Sequence, residues 1–180
     1  DYRKSSSIRS FSLEDKVFVL GKTLGHLSCS AYERIFFKFS SIKNTLNPPT
    51  VDLDAEIKNS GAIRELINRN LISSCHDVSD GGIIMAVIEM ILSTNKQIEL
   101  HSKFKKHSFL FGEDQSRYLF TVNSKNLNRV KKLLDFRHLE YREIGKVIKQ
   151  KSILNFPDKS FISIQTMKKL YKFWQKNMEY

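Results

Sequence analysis

Short apolar runs alternate with polar stretches along this chain, and their spacing predicts both strands and helices. The run from Lys16 to Leu20 is rich in β-forming residues and ends at a glycine, which predicts a strand. After the two prolines at 48–49, Asp52 or Asp54 can cap a helix that extends to about Asn70. The apolar side chains of this helix recur on one face, at Ala62, Ile63, Leu66 and Ile67.

The middle of the chain predicts a strand, a turn and a helix in direct succession. Residues 71–75 predict a buried strand, residues 77–82 a turn, and residues 83–93 an apolar helix. The remaining predicted elements are helices at 32–39, 126–134 and 166–178, strands at 98–100, 117–122, 140–148, 152–156 and 161–164, and a turn at 110–113. This irregular alternation favours an α/β or α+β arrangement of helices on one sheet.

The length of 180 residues suits one domain with extensions. Residues 1–15 are polar and serine-rich and predict an extended lead-in, and residues 16–156 predict the domain itself. Residues 157–180 predict a strand and an amphipathic helix that docks on the same domain, with lysines opposite Leu170, Phe173 and Trp174. Because the chain opens at Asp1 without a methionine, we expect it to be part of a longer protein.

Composition and charge narrow the class of protein. A hydrophobic content of 41% predicts a folded core, and a net charge of +11 admits an anionic partner, although the lysines are scattered. Cys29 and Cys75 form no CxxC motif, which argues against a disulfide framework or a zinc site and favours a cytoplasmic protein. No apolar run predicts a secretory signal or a membrane span, so we expect no membrane partner.

The most distinctive chemistry lies in CHDVSDGG, residues 75–82. The start of a helix offers free N–H groups and partial positive charge, glycine allows close approach to the backbone, and Ser79 can donate a hydroxyl. Asp77 and Asp80 repel a bare phosphate but suit a Mg²⁺ ion between carboxylate and phosphate oxygens. The alternative is a plain turn, in which Asp80 caps the helix and Asp77 is solvated. We expect His76 to be a hydrogen-bonded structural residue, since no second histidine lies at ligand spacing.

Five stretches of the sequence resemble the last domain of phosphoribosylformylglycinamidine synthase in order and spacing. HDVSDGG followed by IIMAVIEM is similar to the family's HDxSDGG and its helix ending in Ala-x-x-Glu-Met. The other four stretches are VFVLGKTLGHLSCSAY, NPPTVDLDAE, LFGEDQSRYLFTV and REIGKV. Any one of these motifs can arise by chance, whereas five in register over about residues 16–150 are specific.

The resemblance implies an α+β fold, an AIR-synthase C-terminal-like domain with a mixed sheet covered by helices. The implied function is that of one domain in a purine-biosynthesis ligase, which uses ATP and glutamine-derived ammonia to convert formylglycinamide ribonucleotide to the amidine. At the family's motif positions, Asp77 contacts magnesium and Ser79 contacts the nucleotide, while Asp80, Gly81 and Gly82 form the turn and cap. The implied cofactors are therefore Mg²⁺ and ATP or ADP.

The resemblance also implies partners and exposes two departures. The partners are the remaining synthase domains or subunits, including a glutaminase, and the nucleotide substrate. The family's Gly-Gly-Ser-Glu is replaced here by Ser28-Cys29-Ser30-Ala31, so two glycines and a carboxylate are missing. The family's catalytic histidine and main ATP loop lie in domains outside this chain. We therefore assign no catalytic residue and expect the chain alone to be inactive.

Three alternatives stay open at this point. A kinase-type member of the superfamily, such as selenophosphate synthase or thiamine-monophosphate kinase, is disfavoured by LFGEDQSRY. A basic nucleic-acid-binding module would explain the net charge and could use the aromatic residues at 32–39 to stack bases. The simpler interpretation of these aromatic residues is that they belong to the core. The third alternative is a domain that has lost its site and only packs on partners.

Overall fold

A computed structural model describes residues 6–36, 47–92 and 94–178. These residues form a five-stranded sheet, a two-stranded hairpin and helices on both sides of the larger sheet. The strands are β1 (Lys16–Leu20), β2 (Ser74–Asp77), β3 (Lys96–Leu100), β4 (Tyr118–Val122), β5 (Tyr141–Lys149), β6 (Ile153–Asn155) and β7 (Phe161–Ser163). The helices are α1 (Ala31–Phe36), α2 (Leu53–Asn68), α3 (Gly82–Ile91), α4 (His107–Phe111), α5 (Leu127–Phe136) and α6 (Ile164–Met178), with a 3-10 turn at Ser124–Asn126.

The larger sheet has the strand order β2-β4-β1-β5-β3, and every neighbouring pair in it is antiparallel. The predicted α+β class, with a sheet covered by helices, is confirmed. The sheet is antiparallel rather than mixed, which corrects the expectation. The apolar pattern of a strand reports its burial and not its direction, because direction is decided by which strand it pairs with.

Alternate residues of the central strand β1 serve two separate cores. Val17 and Val19 face a core with α3 and α6, whereas Phe18 and Leu20 face a core with α2 and α5. Burying each of these side chains stabilises the fold by about 1.5–3 kcal/mol. Because both faces of the sheet are covered, its central strands read as continuous apolar runs.

Two element boundaries differ from the prediction in ways that affect the site. The N–H of Leu71 donates to the carbonyl of Leu66, so Leu71 still belongs to the end of α2 and β2 begins only at Ser74. As a result β2 ends at Asp77, two residues later than the apolar run suggests. The predicted helix at 32–39 is observed as α1, while residues 37–39 lie outside the described residues.

Both ends of the described chain contribute to the core beside α3. Phe11, which precedes β1, is fully buried, and Ile164 and Met167 of α6 are almost fully buried in the same cluster. The division into a lead-in, a domain and a docked C-terminal segment stays a prediction. Among the described residues, no helix has the length and apolarity needed to cross a membrane.

Candidate nucleotide half-site

The turn between β2 and α3 is built at an edge of the sheet. The N–H of Val78 donates to the carbonyl of Arg117 at 3.0 Å, and the N–H of Gly82 donates to the carbonyl of Ser79 at 3.0 Å. Val78 is buried and anchors the turn, whereas Ser79 and Asp80 are exposed. The predicted nucleotide-contacting serine therefore lies on the outside of a tight, anchored turn.

Gly82 is required by both conformation and space. Its φ of +69° lies in the left-handed region that favours glycine. A Cβ at this position would lie 2.7 Å from the carbonyl oxygen of Gly112 and 2.8 Å from that of Leu110. The second glycine of the motif thus lets α3 start directly against the end of α4.

A cavity of about 280 Å³ opens beside this turn and brings Asp77 and Ser79 together. The other cavity residues come from α2, the turn and the segment that leads into β4: Glu56, Val78, Asp80, Glu113, Gln115, Ser116, Arg117 and Tyr118. Four of the lining side chains are carboxylates, although the chain as a whole is strongly basic. This local excess of negative charge disfavours a bare anion and suits a cation or a cation-bound phosphate.

The predicted cap on α3 is wrong. The N-cap residue of α3 is Gly81, and no side chain of the turn caps it. Instead, Oε1 of Glu113 accepts hydrogen bonds from the N–H of Gly81 at 2.8 Å and from the N–H of Ala31 at 2.7 Å. These bonds hold the N-cap residue itself, whereas a capping side chain would accept from the next free N–H groups of the helix, and Asp80 is left exposed.

The segment that carries Glu113 is itself held by a buried arginine. The side chain of Arg117 is fully buried and donates from Nε to the carbonyl of Asp114 at 2.9 Å and from Nη2 to the carbonyl of Gly112 at 2.5 Å. Burial lowers the pKa of Arg117, and the carboxylates of Asp114 and Glu113 oppose that shift. The buried cation of Arg117 therefore holds the backbone of the segment 112–117, which carries Glu113 and Asp114 and is called the acidic turn below.

His76 has the structural role that its sequence context predicts. Its Nε2 lies 2.8 Å from Oε2 of Glu89 on α3, and its Nδ1 lies 3.1 Å from Oδ1 of Asp77. The pKa of His76 is raised, chiefly by the hydrogen bond to Glu89, against the opposing effect of burial. The side chain of Asp77 remains 68% exposed, so its carboxylate is open to a further ligand.

Ser30 in the altered loop at 28–31 and Tyr32, which follows it, do not line the cavity. Ser30 is buried, and its Oγ accepts from the N–H of Glu33 at 3.2 Å, so it helps to start α1. The hydroxyl of Tyr32 lies 3.1 Å from Nδ1 of His107, and its ring packs on Phe111. Within the described part of the stretch 32–39, Tyr32 packs against the domain but no residue of α1 is buried, and Phe36 is 64% exposed. The expectation that these aromatic residues belong to the core is therefore wrong for the described residues.

Two carboxylates that line the cavity were not predicted from the sequence to belong to the site. Glu56 accepts a hydrogen bond from the hydroxyl of Tyr118, and Glu113 holds the turn as described above. Both residues occur in stretches that support the family resemblance, NPPTVDLDAE and LFGEDQSRYLFTV. Neither stretch, however, predicts a contact with CHDVSDGG. Spacing along the chain carries no signal for contacts that form across the fold.

The donor set at the turn fits a magnesium ion that is shared with a nucleotide. Within residues 6–36, 47–92 and 94–178, no group of three or more His, Cys, Asp or Glu side chains is arranged to hold a metal ion. Mg²⁺ is commonly bound through one or two carboxylates together with phosphate oxygens and water. The exposed carboxylate of Asp77 supplies an oxygen donor of that kind, and the hydroxyl of Ser79 lines the same cavity.

The fold and this turn define a family. The chain matches the AIR synthase related protein, C-terminal domain, over residues 14–154, which is most of its length, and it belongs to that family.

Its curated relatives point to one protein within the family. The chain is 32% identical over 176 residues to phosphoribosylformylglycinamidine synthase subunit PurL of Bartonella henselae, covering 97% of this chain and 23% of that protein. It is also 32% identical over 182 residues to the subunit PurL of Pelagibacter ubique, covering 98% of this chain and 24% of that protein. The chain therefore spans about a quarter of the length of the relatives that it matches.

Solved structures confirm the fold. Thermotoga maritima PurL complexed with FGAR superimposes with a TM-score of 0.71 at 15% identity, over 92% of this chain and 30% of that chain. The same protein complexed with ADP gives a TM-score of 0.68 at 14% identity, over 92% and 27% of the two chains. A thiamine-monophosphate kinase from Stenotrophomonas maltophilia gives 0.53 at 14% identity, over 82% and 52%.

Proposed function

We propose that this chain is the C-terminal domain of a phosphoribosylformylglycinamidine synthase. The synthase is an ATP-dependent C–N ligase of purine biosynthesis, which converts formylglycinamide ribonucleotide to the amidine with ammonia from glutamine. The proposal rests on one observation above all: a domain of this family carries Asp77 and Ser79 together on an open acidic cavity. The names of the relatives, and the nucleotide complexes of the structural neighbours, support it.

The turn at 77–82 with its cavity is, in this proposal, a nucleotide half-site. Asp77 holds Mg²⁺ through its exposed carboxylate, and the hydroxyl of Ser79 donates to the nucleotide. When bound, Mg²⁺ neutralises charge on the phosphate oxygens. The chain's own residues orient that pair: Glu113 fixes the turn and His76 fixes Asp77. The other domains or subunits, including a glutaminase, complete the enzyme in the cytoplasm.

Asp77→Asn tests the half-site in the longer protein that contains this chain. The neutral amide keeps the shape but loses the charge that attracts Mg²⁺, so we expect about a tenfold loss of affinity for Mg–ADP. The measurement is the amount of nucleotide and Mg²⁺ retained after gel filtration. Asp158→Asn, in the hairpin between β6 and β7, is the matched control and should retain both. Unchanged retention in Asp77→Asn would remove the proposed role of Asp77.

The ligase role is tested separately. The 180-residue chain alone should form no amidine from formylglycinamide ribonucleotide, ATP and glutamine. The same chain joined to the other synthase domains, with a glutaminase supplied, should form it. Absence of amidine formation in the complete assembly, with each component folded, would contradict the proposal. A kinase-type activity is the weaker candidate, since that structural neighbour superimposes less well than PurL.

A further inference from the structure

One carboxylate oxygen joins two segments on either side of the nucleotide half-site. Oε1 of Glu113 accepts from the N–H of Gly81 in the turn and from the N–H of Ala31 at the start of α1. Both distances, 2.8 and 2.7 Å, are those of charge-assisted hydrogen bonds. The contact with Ala31 uses only the backbone, so it is independent of the side chain that the altered loop carries there.

The backbone of Glu113 is held as firmly as its side chain. Its N–H donates to the carbonyl of His26 at 2.9 Å, and the neighbouring Asp114 accepts from the N–H of Gly25 at 2.9 Å. Gly112 packs so tightly that an added Cβ would lie 2.8 Å from Cα of Gly25. Glu113 is therefore presented from a rigid support, as is typical of residues that position a site.

This arrangement has a consequence for the ligand. The N–H of Gly81 is already bonded to Glu113, so it is not available to a phosphate as it would be in a simple anion-binding loop. The carboxylate also places negative charge directly behind the turn and lines the same cavity as Asp77. A magnesium-bound nucleotide would meet much weaker repulsion here than a metal-free one, because the ion cancels most of the phosphate charge.

We propose that Glu113 positions the Ser79–Gly82 turn and makes the half-site selective for the magnesium-bound form of a nucleotide over the free form. This inference rests on the proposed nucleotide role of the half-site. It assigns to Glu113 both a positioning and a selecting function, while Asp77 and Ser79 make the direct contacts.

The test compares two substitutions at Glu113 in the longer protein that contains this chain. Glu113→Gln keeps a carbonyl oxygen that can accept both N–H groups but removes the charge. Glu113→Ala removes the acceptor as well. Glu140→Gln is the matched control, because Glu140 pairs with Arg142 at an exposed position outside the cavity. For each protein, the dissociation constants of ADP with excess Mg²⁺ and of ADP with a chelator are measured from the protection of residues 77–82 against hydrogen exchange as the nucleotide is added.

The ratio of the two constants is the decisive quantity, because a loss of stability alone does not change it. The parent and Glu140→Gln should bind Mg–ADP more tightly than free ADP. In Glu113→Gln this preference should fall about fivefold, the effect of one unit charge at close range in a solvated site. In Glu113→Ala both forms should bind more weakly, and the amides of Gly81 and Ala31 should exchange faster with solvent.

The outcomes separate this inference from the proposed function. A parent that binds Mg–ADP preferentially, together with an equal preference in Glu113→Gln, would overturn the role of Glu113 and leave the half-site intact. A parent that binds neither form at millimolar concentration would overturn the half-site, and the selectivity with it. If the parent binds Mg–ADP and free ADP equally well, the proposed magnesium roles of Asp77 and Glu113 are both overturned.

Discussion

Nε2 of His76 lies 2.8 Å from Oε2 of Glu89, and this contact joins the end of β2 to the last turn of α3. The other ring nitrogen faces Asp77, so His76 links the helix to the carboxylate that we propose as the magnesium ligand. A neutral imidazole carries one N–H, whereas the protonated ring donates to both carboxylates. The protonation state of His76 is thereby coupled to the geometry of the site.

Glu89→Gln should lower the pKa of His76, since the hydrogen bond to Glu89 is the largest cause of its raised value. In the parent, the folded-state pKa lies above the ordinary value of 6.5. The stabilisation from protonated His76 is therefore complete below that value and is lost as the pH rises through the folded-state pKa. NMR titration of the imidazole measures the change. Glu99→Gln, which removes a partner of Lys151 instead, is the control, and a common midpoint in all three chains would refute the assignment.

Gly82→Ala should lower the free energy of unfolding by about 3 kcal/mol, because the new Cβ meets two carbonyl oxygens and the φ is positive. Gly61→Ala is the matched control. Gly61 lies inside α2, and a Cβ there meets no atom within 4 Å. It should raise the free energy of unfolding by about 0.5–1 kcal/mol through helix propensity. Urea unfolding of both chains gives the comparison, and equal effects would contradict the described packing at Gly82.

Arg117→Met should destabilise the fold by about 3–5 kcal/mol, because it leaves the carbonyls and carboxylate around Asp114 without their buried cation. Arg142→Met removes a cation from an exposed pair with Glu140 and should cost about 0.5 kcal/mol or less. Thermal unfolding of the two variants distinguishes these expectations. A small effect at Arg117 would mean that the acidic turn does not depend on it.

The two cysteines should differ sharply in reactivity. Burial raises the pKa of the Cys75 thiol to about 12, so almost none of it is thiolate at pH 8. Cys29 is exposed. Iodoacetamide at pH 8 should therefore modify Cys29 in the native chain, and Cys75 only after unfolding. Peptide mass analysis of native and urea-treated samples checks this, with Cys29→Ser as the control. Rapid native labelling of Cys75 would contradict its burial.

The local sequence was sufficient for most elements. The run at Lys16–Leu20 became β1, the capping residue Asp52 started α2, and the order of helices and strands narrowed the class to α/β or α+β. These features depend on side-chain period and on interactions within a few residues, which a sequence displays directly. The family could be identified from the sequence for the same reason, because each of its motifs is one contiguous stretch of residues.

Contacts between distant segments were decided only by the tertiary structure. The strand directions of the sheet depend on pairings such as β1 with β5, more than 100 residues apart, and the boundary of β2 depends on how Leu71 closes α2. The cap of α3 illustrates the limit most clearly. From the sequence, Asp80 was the natural cap because it precedes the helix, yet the N-cap residue is Gly81, and its N–H is bound by Glu113, 32 residues away along the chain. A hydrogen bond depends on proximity in space, and only the folded chain brings these two residues together.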